Sequence, residues 1–107
     1  MMGPAAAREL PPPLELECLK ALWGLGEASV RQVQDAMAPQ RQLAYTTVMT
    51  VMDRLARRGC VQRKKSGRSF VYAPVLTQEI VRKMAVHDLV ESLFDGCEQS
   101  LRQFLAP

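Results

Sequence analysis

At 107 residues the chain can form one compact domain, or a small domain with an appendage, and its 48% hydrophobic content excludes a disordered polymer. No apolar run approaches the ~18–20 residues of a membrane span, so membrane insertion is not expected. The net charge of +3 averages over −2 in residues 1–40, +7 in residues 41–76 and −2 in residues 77–107; self-repulsion in that middle segment makes a polyanion the expected partner, nucleic acid first and an anionic membrane surface second.

Residues 1–12 are Ala-rich and then Pro-rich and are expected to be a flexible N-terminus. They lack the charged start and long apolar stretch of a signal peptide, so the expected location is the cytoplasm. Proline suits a helix's first turn, and Leu16, Leu19, Leu22 and Trp23 recur on one helical face. The spacing predicts a first helix over about 13–23, with Glu15 and Glu17 favouring its dipole and Gly24 and Gly26 ending it. Glu27-Ala28 reads as a minimal extended piece. Ser29 is a good N-cap for a short helix carrying Val30, Val33 and Met37, which ends before Pro39.

A third helical pattern runs from Tyr45 to Arg58. Val48, Val51, Met52 and Leu55 share one face, while Thr46, Met49, Thr50 and Asp53 point elsewhere. Its threonines and valines weaken helix propensity, so packing must hold it. Gly59 fits the left-handed position that ends it. The period then changes to that of strands: residues 60–65 and 68–72 flank Ser66-Gly67 and predict a β-hairpin. With that loop, Val61 lies opposite Tyr72 and Arg63 opposite Phe70, so both aromatics are expected to anchor the hairpin on the core and leave a basic tip. Thr77 can cap a last helical stretch. Ile80, Val81, Met84, Val86, Leu89, Val90, Leu93 and Phe94 make it broadly apolar, and Leu101, Phe104 and Leu105 continue the pattern beyond Gly96.

Three helices followed by a hairpin are the pattern of a winged helix-turn-helix. The expected fold is therefore mainly α with a small β-hairpin: a DNA-binding domain over 13–76 and a C-terminal helical dimerisation tail over 77–107. Arg54, Arg57, Arg58, Arg63, Lys64, Lys65 and Arg68 place seven cations within fifteen residues, with no acid among them. Neutralising phosphates with such charges releases counterions. Tyr45, Thr46, Thr47, Met49 and Thr50 are candidates for reaching bases, since threonine can hydrogen-bond a base edge or meet the thymine methyl. Capping remains the competing reading of Thr46, and partial burial that of Thr47. The tail also has two readings: a dimer interface through Ile80, Met84, Val86, Leu89, Val90, Leu93, Phe94, Leu101 and Phe104, or a fourth core helix folded back on its own domain.

Enzyme chemistry finds no support. There is no His/Asp or Cys/His pair at useful spacing, no glycine-rich phosphate loop and no paired carboxylates in an apolar setting. Cys18, Cys60 and Cys97 are odd in number and far apart, and with His87 they form no usual ligand set. Neither a disulfide framework nor a metal or other cofactor is expected. The remaining rival is a winged helix that binds another protein through its hairpin, which would have no need of the +7 segment.

Three stretches carry a family resemblance: Leu14-Glu-Leu-Glu with Leu19, Leu22 and Trp23; Ala44-Tyr-Thr-Thr-Val-Met-Thr-Val-Met-Asp-Arg-Leu-Ala-Arg-Arg-Gly59; and Gly67-Arg-Ser-Phe-Val-Tyr-Ala-Pro74. Together they resemble the penicillinase-repressor family of the BlaI/MecI type over most of residues 14–94. The resemblance implies a homodimeric transcriptional repressor on a palindromic DNA operator. It implies a recognition helix from Tyr45 to Arg54, a wing from Lys64 to Arg68 and dimerisation through residues after Pro74. It also implies a membrane sensor peptidase system that inactivates the repressor by cleaving its tail. The C-x-C pairs of copper-responsive relatives are absent from this sequence.

Overall fold

Prolines begin the first helix, as their ring geometry favours: α1 spans Pro13–Leu25 with Pro12 at its N-cap. The computed structural model describes residues 9–107; the first eight residues of the expected flexible N-terminus lie outside the described residues. Where that segment is described, Pro11 is buried and Leu10 packs against the core, so its last residues belong to the folded domain. Helix α1 also runs past Gly24 to Leu25, two residues beyond the predicted end. The left-handed Gly26 (φ 85°) terminates it, with its N–H bonded to Leu22 O at 2.7 Å.

Helix α2 (Val30–Met37) starts with a capping box. The Ser29 hydroxyl accepts from the Gln32 N–H, and the Gln32 side chain accepts from the Ser29 N–H. Helix α3 (Tyr45–Arg57) ends in a Schellman motif around Gly59 (φ 79°). There the Gly59 N–H bonds Ala56 O at 3.1 Å and the Cys60 N–H bonds Leu55 O at 2.9 Å.

The hairpin consists of β1 (Val61–Ser66) and β2 (Ser69–Pro74), paired antiparallel. Its register corrects the predicted one. Val61 faces Pro74, Arg63 faces Tyr72 and Lys65 faces Phe70, because the turn residues are Gly67 and Arg68 rather than Ser66 and Gly67. A two-residue turn with glycine first accommodates the positive φ of 63° at Gly67, which Ser66 would strain to adopt. The correction moves each partner by two residues, so every side chain keeps its face. Tyr72 is buried as expected, whereas Phe70 is 40% exposed and does not anchor the hairpin. Ala28 adds the expected extended piece at the other edge, exchanging both backbone hydrogen bonds with Tyr72 at 2.9 and 2.8 Å.

These elements enclose one core, a winged helix-turn-helix. Leu19 and Leu22 of α1, Val33 of α2, and Val48, Met52 and Leu55 of α3 are fully buried. Each large side chain buried this way contributes about 1.5–3 kcal/mol. Trp23 Nε1 donates to Leu76 O at 2.8 Å, fastening the end of the wing domain to α1. Glu15 is not a solvated first-turn carboxylate. It is buried at 6% exposure, and Arg58 Nη1 reaches its Oε1 at 2.9 Å, joining α1 to the end of α3.

Helix α4 (Gln78–Leu93), capped by the Thr77 hydroxyl at 3.1 Å from the Ile80 N–H, leaves this domain, and a short α5 (Glu98–Leu105) follows. Only Val81 of the tail enters the main core. The radius of gyration, 15.9 Å, exceeds the ~13 Å of a compact 100-residue domain, as a projecting helix requires. Among the described residues no helix is long and apolar enough to cross a membrane.

Two predictions follow from this packing. Arg58→Ala leaves Glu15 buried without its cation and lowers stability by about 2 kcal/mol, less than for a wholly buried pair because Arg58 is partly exposed. Arg57→Ala, at an exposed site, changes stability by no more than about 0.5 kcal/mol. Urea denaturation of the two variants checks this, and equal losses would refute the inward role of Arg58. The second concerns the thiols. Burial, aided by the Glu17 and Glu15 carboxylates, pushes Cys18 up to about 11, and burial also raises Cys60. Cys97 is exposed and lowered by the Ser100 hydroxyl and N–H, which favour its thiolate. Iodoacetamide at about pH 8 should therefore label Cys97 alone in the folded protein. Peptide mass mapping that finds Cys18 or Cys60 equally labelled would contradict the packing.

Candidate nucleic-acid interface

Helix α3 divides into two faces. Val48, Val51, Met52 and Leu55 are buried. Tyr45, Thr46, Thr47, Met49, Thr50, Arg54 and Arg57 are exposed, so every recognition-helix residue expected from the sequence is accessible. Thr46 is not the cap: Ala44 holds that position and offers no side-chain hydrogen bond. The first N–H groups of α3 thus carry their partial positive charge at the surface. Thr47 is exposed rather than partly buried.

The wing stands beside this face. A groove of about 290 Å³ runs between the start of α2, the first half of α3 and the hairpin, lined in part by Tyr45, Met49, Arg68 and Phe70. Arg31 of α2 belongs to the same groove and lies over the Tyr45 ring, 5.5 Å from its centroid. Arg31 lies outside the basic run of the sequence, and only the fold brings it to this surface. Further along α3, Arg63 of β1 reaches Asp53 Oδ1 at 3.4 Å and lies over the Phe70 ring at 4.4 Å. Exposed Phe70 therefore supports an arginine of the wing and not the core.

The seven cations of the basic run do not all share one surface. Arg58 turns in to Glu15. Lys64 lies on the opposite face of β1 from Arg63 and Lys65, and its Nζ meets Glu27 Oε2 at 3.2 Å. Arg57 pairs with Asp53 Oδ2 at 3.0 Å. Arg54, Lys65 and Arg68 have no ion-pair partner among the described residues. Arg54 and Arg57 stand exposed on α3 and Arg63, Lys65 and Arg68 on the wing, and of these wing cations Arg63, through Asp53, and Arg68, in the groove, lie beside α3. Asp53, one residue before the run, escaped the sequence reading as an electrostatic partner, although its i,i+4 spacing to Arg57 was a usable signal.

The expected interface residues of the tail also divide. Leu93 and Phe104 are 72% and 74% exposed, and Ile80, Val86 and Leu89 are exposed to lesser degrees. Val90 and Leu101 are instead buried within the single chain, which removes them from the expected contact surface. Met84 and Phe94 are half-buried, with the Phe94 and Phe104 rings 5.8 Å apart. Asp95 and Gly96 are both left-handed (φ 51° and 78°), turning the chain so that α5 returns toward α4.

Comparison with known proteins places these features among relatives. The family model described as penicillinase repressor matches residues 12–106. The transcriptional regulator BlaI of Mycobacterium tuberculosis is 39% identical over 89 residues, covering 81% of this chain and 64% of that protein. The chain thus spans just under two thirds of the length of that relative. The solution structure of the DNA-binding domain of the repressor BlaI superposes with a TM-score of 0.61 at 24% identity, covering 74% of this chain and 93% of that one. The Bacillus licheniformis BlaI monomeric form, solved in complex with the blaP half-operator, gives 0.56 at 25% identity, covering 67% and 88%.

Proposed function

Because the chain belongs to the penicillinase repressor family, we propose that it is a cytoplasmic DNA-binding transcriptional repressor that reads duplex DNA with α3 and the wing. The observation that carries this reading is the adjacency of the outer face of α3, which presents Arg54 and Arg57, to Arg63 and Arg68 of the wing. A helix ~10–12 Å across fits the ~12 Å major groove. Tyr45, Thr46, Thr47, Met49 and Thr50 then meet base edges, while the wing cations and the uncapped start of α3 meet phosphates. A relative of the same fold has been solved on a half-operator, which supports DNA as the partner. The family is one of repressors.

The reading extends to a homodimer on a palindromic operator, with residues 13–76 reading DNA and residues 77–107 pairing the copies. Its support is the exposed apolar series Ile80, Val86, Leu89, Leu93 and Phe104, a surface that a monomer would leave in water. The two-fold symmetry of such a dimer would match paired half-sites. Relief of repression by a membrane sensor peptidase system is part of the proposal on family grounds alone.

Binding to random-sequence duplex, followed by fluorescence anisotropy, is expected to weaken roughly 10²-fold per protomer between about 50 and 200 mM salt. Arg68→Ala should weaken matched and random duplexes equally and lower the salt slope by about 1. Duplex binding indifferent to salt would favour the protein-partner reading of the wing. Leu93→Asp places a charge on a side chain already exposed in the single chain, so it should leave the fold intact and yield monomers in light scattering. An unchanged dimer mass would remove the tail from the interface.

A further inference from the structure

Asp53 is the single carboxylate on α3, and it is partly exposed between that helix and the wing. Its Oδ2 holds Arg57 at 3.0 Å and its Oδ1 holds Arg63 at 3.4 Å, so one side chain engages a cation of the helix and a cation of the wing. Both guanidinium groups stay in water, with Arg57 77% and Arg63 42% exposed. Pairs this exposed contribute at most about 1 kcal/mol to folding, which makes them weak as braces and easy to exchange for another anion. Phosphate is such an anion. A phosphate that takes either arginine displaces Asp53 and leaves its carboxylate facing a polyanion.

Resting on the DNA-binding reading, we propose that Asp53 is a specificity-determining residue, which withholds Arg57 and Arg63 from sequence-independent phosphate binding. Non-specific association depends on phosphate contacts alone and so bears the whole penalty. A matched site can relieve it, because an acceptor-only carboxylate fits a base edge that presents an amino donor, such as cytosine N4. Asp53 therefore works by repelling the wrong partner, a route to selectivity separate from adding contacts to the right one. The residue is suited to this because it combines an outward position on the reading helix with a link to the wing.

The test uses the full chain, a random-sequence duplex pool, and a duplex enriched from that pool by the wild-type protein. Asp53→Asn keeps the side chain's volume and removes its charge. It should bind the random pool about five-fold more tightly at ~0.1 M salt, with a slope steeper by about 1–2, as two released arginines require. It should bind the enriched duplex no more tightly than wild type, so that selectivity falls. In an Arg57→Gln/Arg63→Gln background the same substitution should tighten random-pool binding less than about two-fold, the part owed to the carboxylate's own repulsion. Equal tightening on both duplexes, or tightening that is undiminished without the two arginines, would overturn the proposal, since Asp53 would then act only as one negative charge among others. If wild type shows no salt-dependent binding to any duplex, the DNA-binding reading itself fails, an outcome distinct from wild-type binding that Asp53→Asn leaves unaltered.

Discussion

Burial of one face of α3 is the constraint from which the rest of the molecule follows. Three threonines and two valines in its thirteen residues make it a poor helix in isolation. Against alanine those five residues cost on the order of 3 kcal/mol of propensity. Burial of Val48, Val51, Met52 and Leu55 contributes on the order of 6–12 kcal/mol, an upper bound that still exceeds the cost. The core therefore holds the helix, and the outer face is free to carry residues chosen for chemistry. Helices α1 and α2 and the base of the wing are the walls against which that burial occurs, so the position of the outer face is decided in the interior.

The same packing manages the charge. A segment of +7 is costly to fold by itself, and the chain moderates it by bringing acidic flanks onto it. Glu15 and Glu27 both come from the N-terminal segment of opposite sign, and they take Arg58 and Lys64. The two pairs differ in kind. Glu15 is buried, so its pairing with Arg58 is a structural necessity, whereas Lys64 and Glu27 are both more than half exposed and can separate in the presence of a polyanion. Arg57 and Arg63 on Asp53 are of the exchangeable kind. The cations that face outward are thus left either free or loosely held, as recognition of a charged partner requires.

Much of this architecture was legible along the chain, because its signals are local. The N-cap at Ser29, the left-handed Gly59, the apolar spacing of α3 and the change of period at Cys60 each depend on residues within a few positions of one another. The errors have equally physical causes. The hairpin register hung on whether glycine stands second or first in a two-residue turn, and the backbone requirement at Gly67 decided it. Alternation puts Phe70 on the same strand face as Tyr72, but Arg63 supplies it with a partner at the surface. The pairing of Glu15 with Arg58 crosses 43 positions, and the placement of Arg31 in the groove depends on how α2 packs. No spacing rule encodes either one. Val90 and Leu101 share the apolar pattern of Leu93 and Phe104, and only the return of α5 separates buried from exposed.

The junction at residues 74–81 ties the reading face to the tail. Leu76 and Val81 are in the main core, the Val75 and Leu76 N–H groups both bond Cys60 O, and Trp23 bonds Leu76 O. The start of α4 is therefore fixed relative to the end of α3, since Cys60 also closes the Schellman motif of α3. On the dimer reading, this rigidity has a consequence for DNA. Half-sites one helical turn apart lie about 34–36 Å from centre to centre, and a flexible joint would have to be ordered anew on every binding event, at a cost in conformational entropy. With Leu76 and Val81 held in the core, much of that ordering has already occurred during folding. Contacts made far out on α4 and α5 then set where two copies of α3 stand, so the apolar tail would govern spacing on the duplex without touching it.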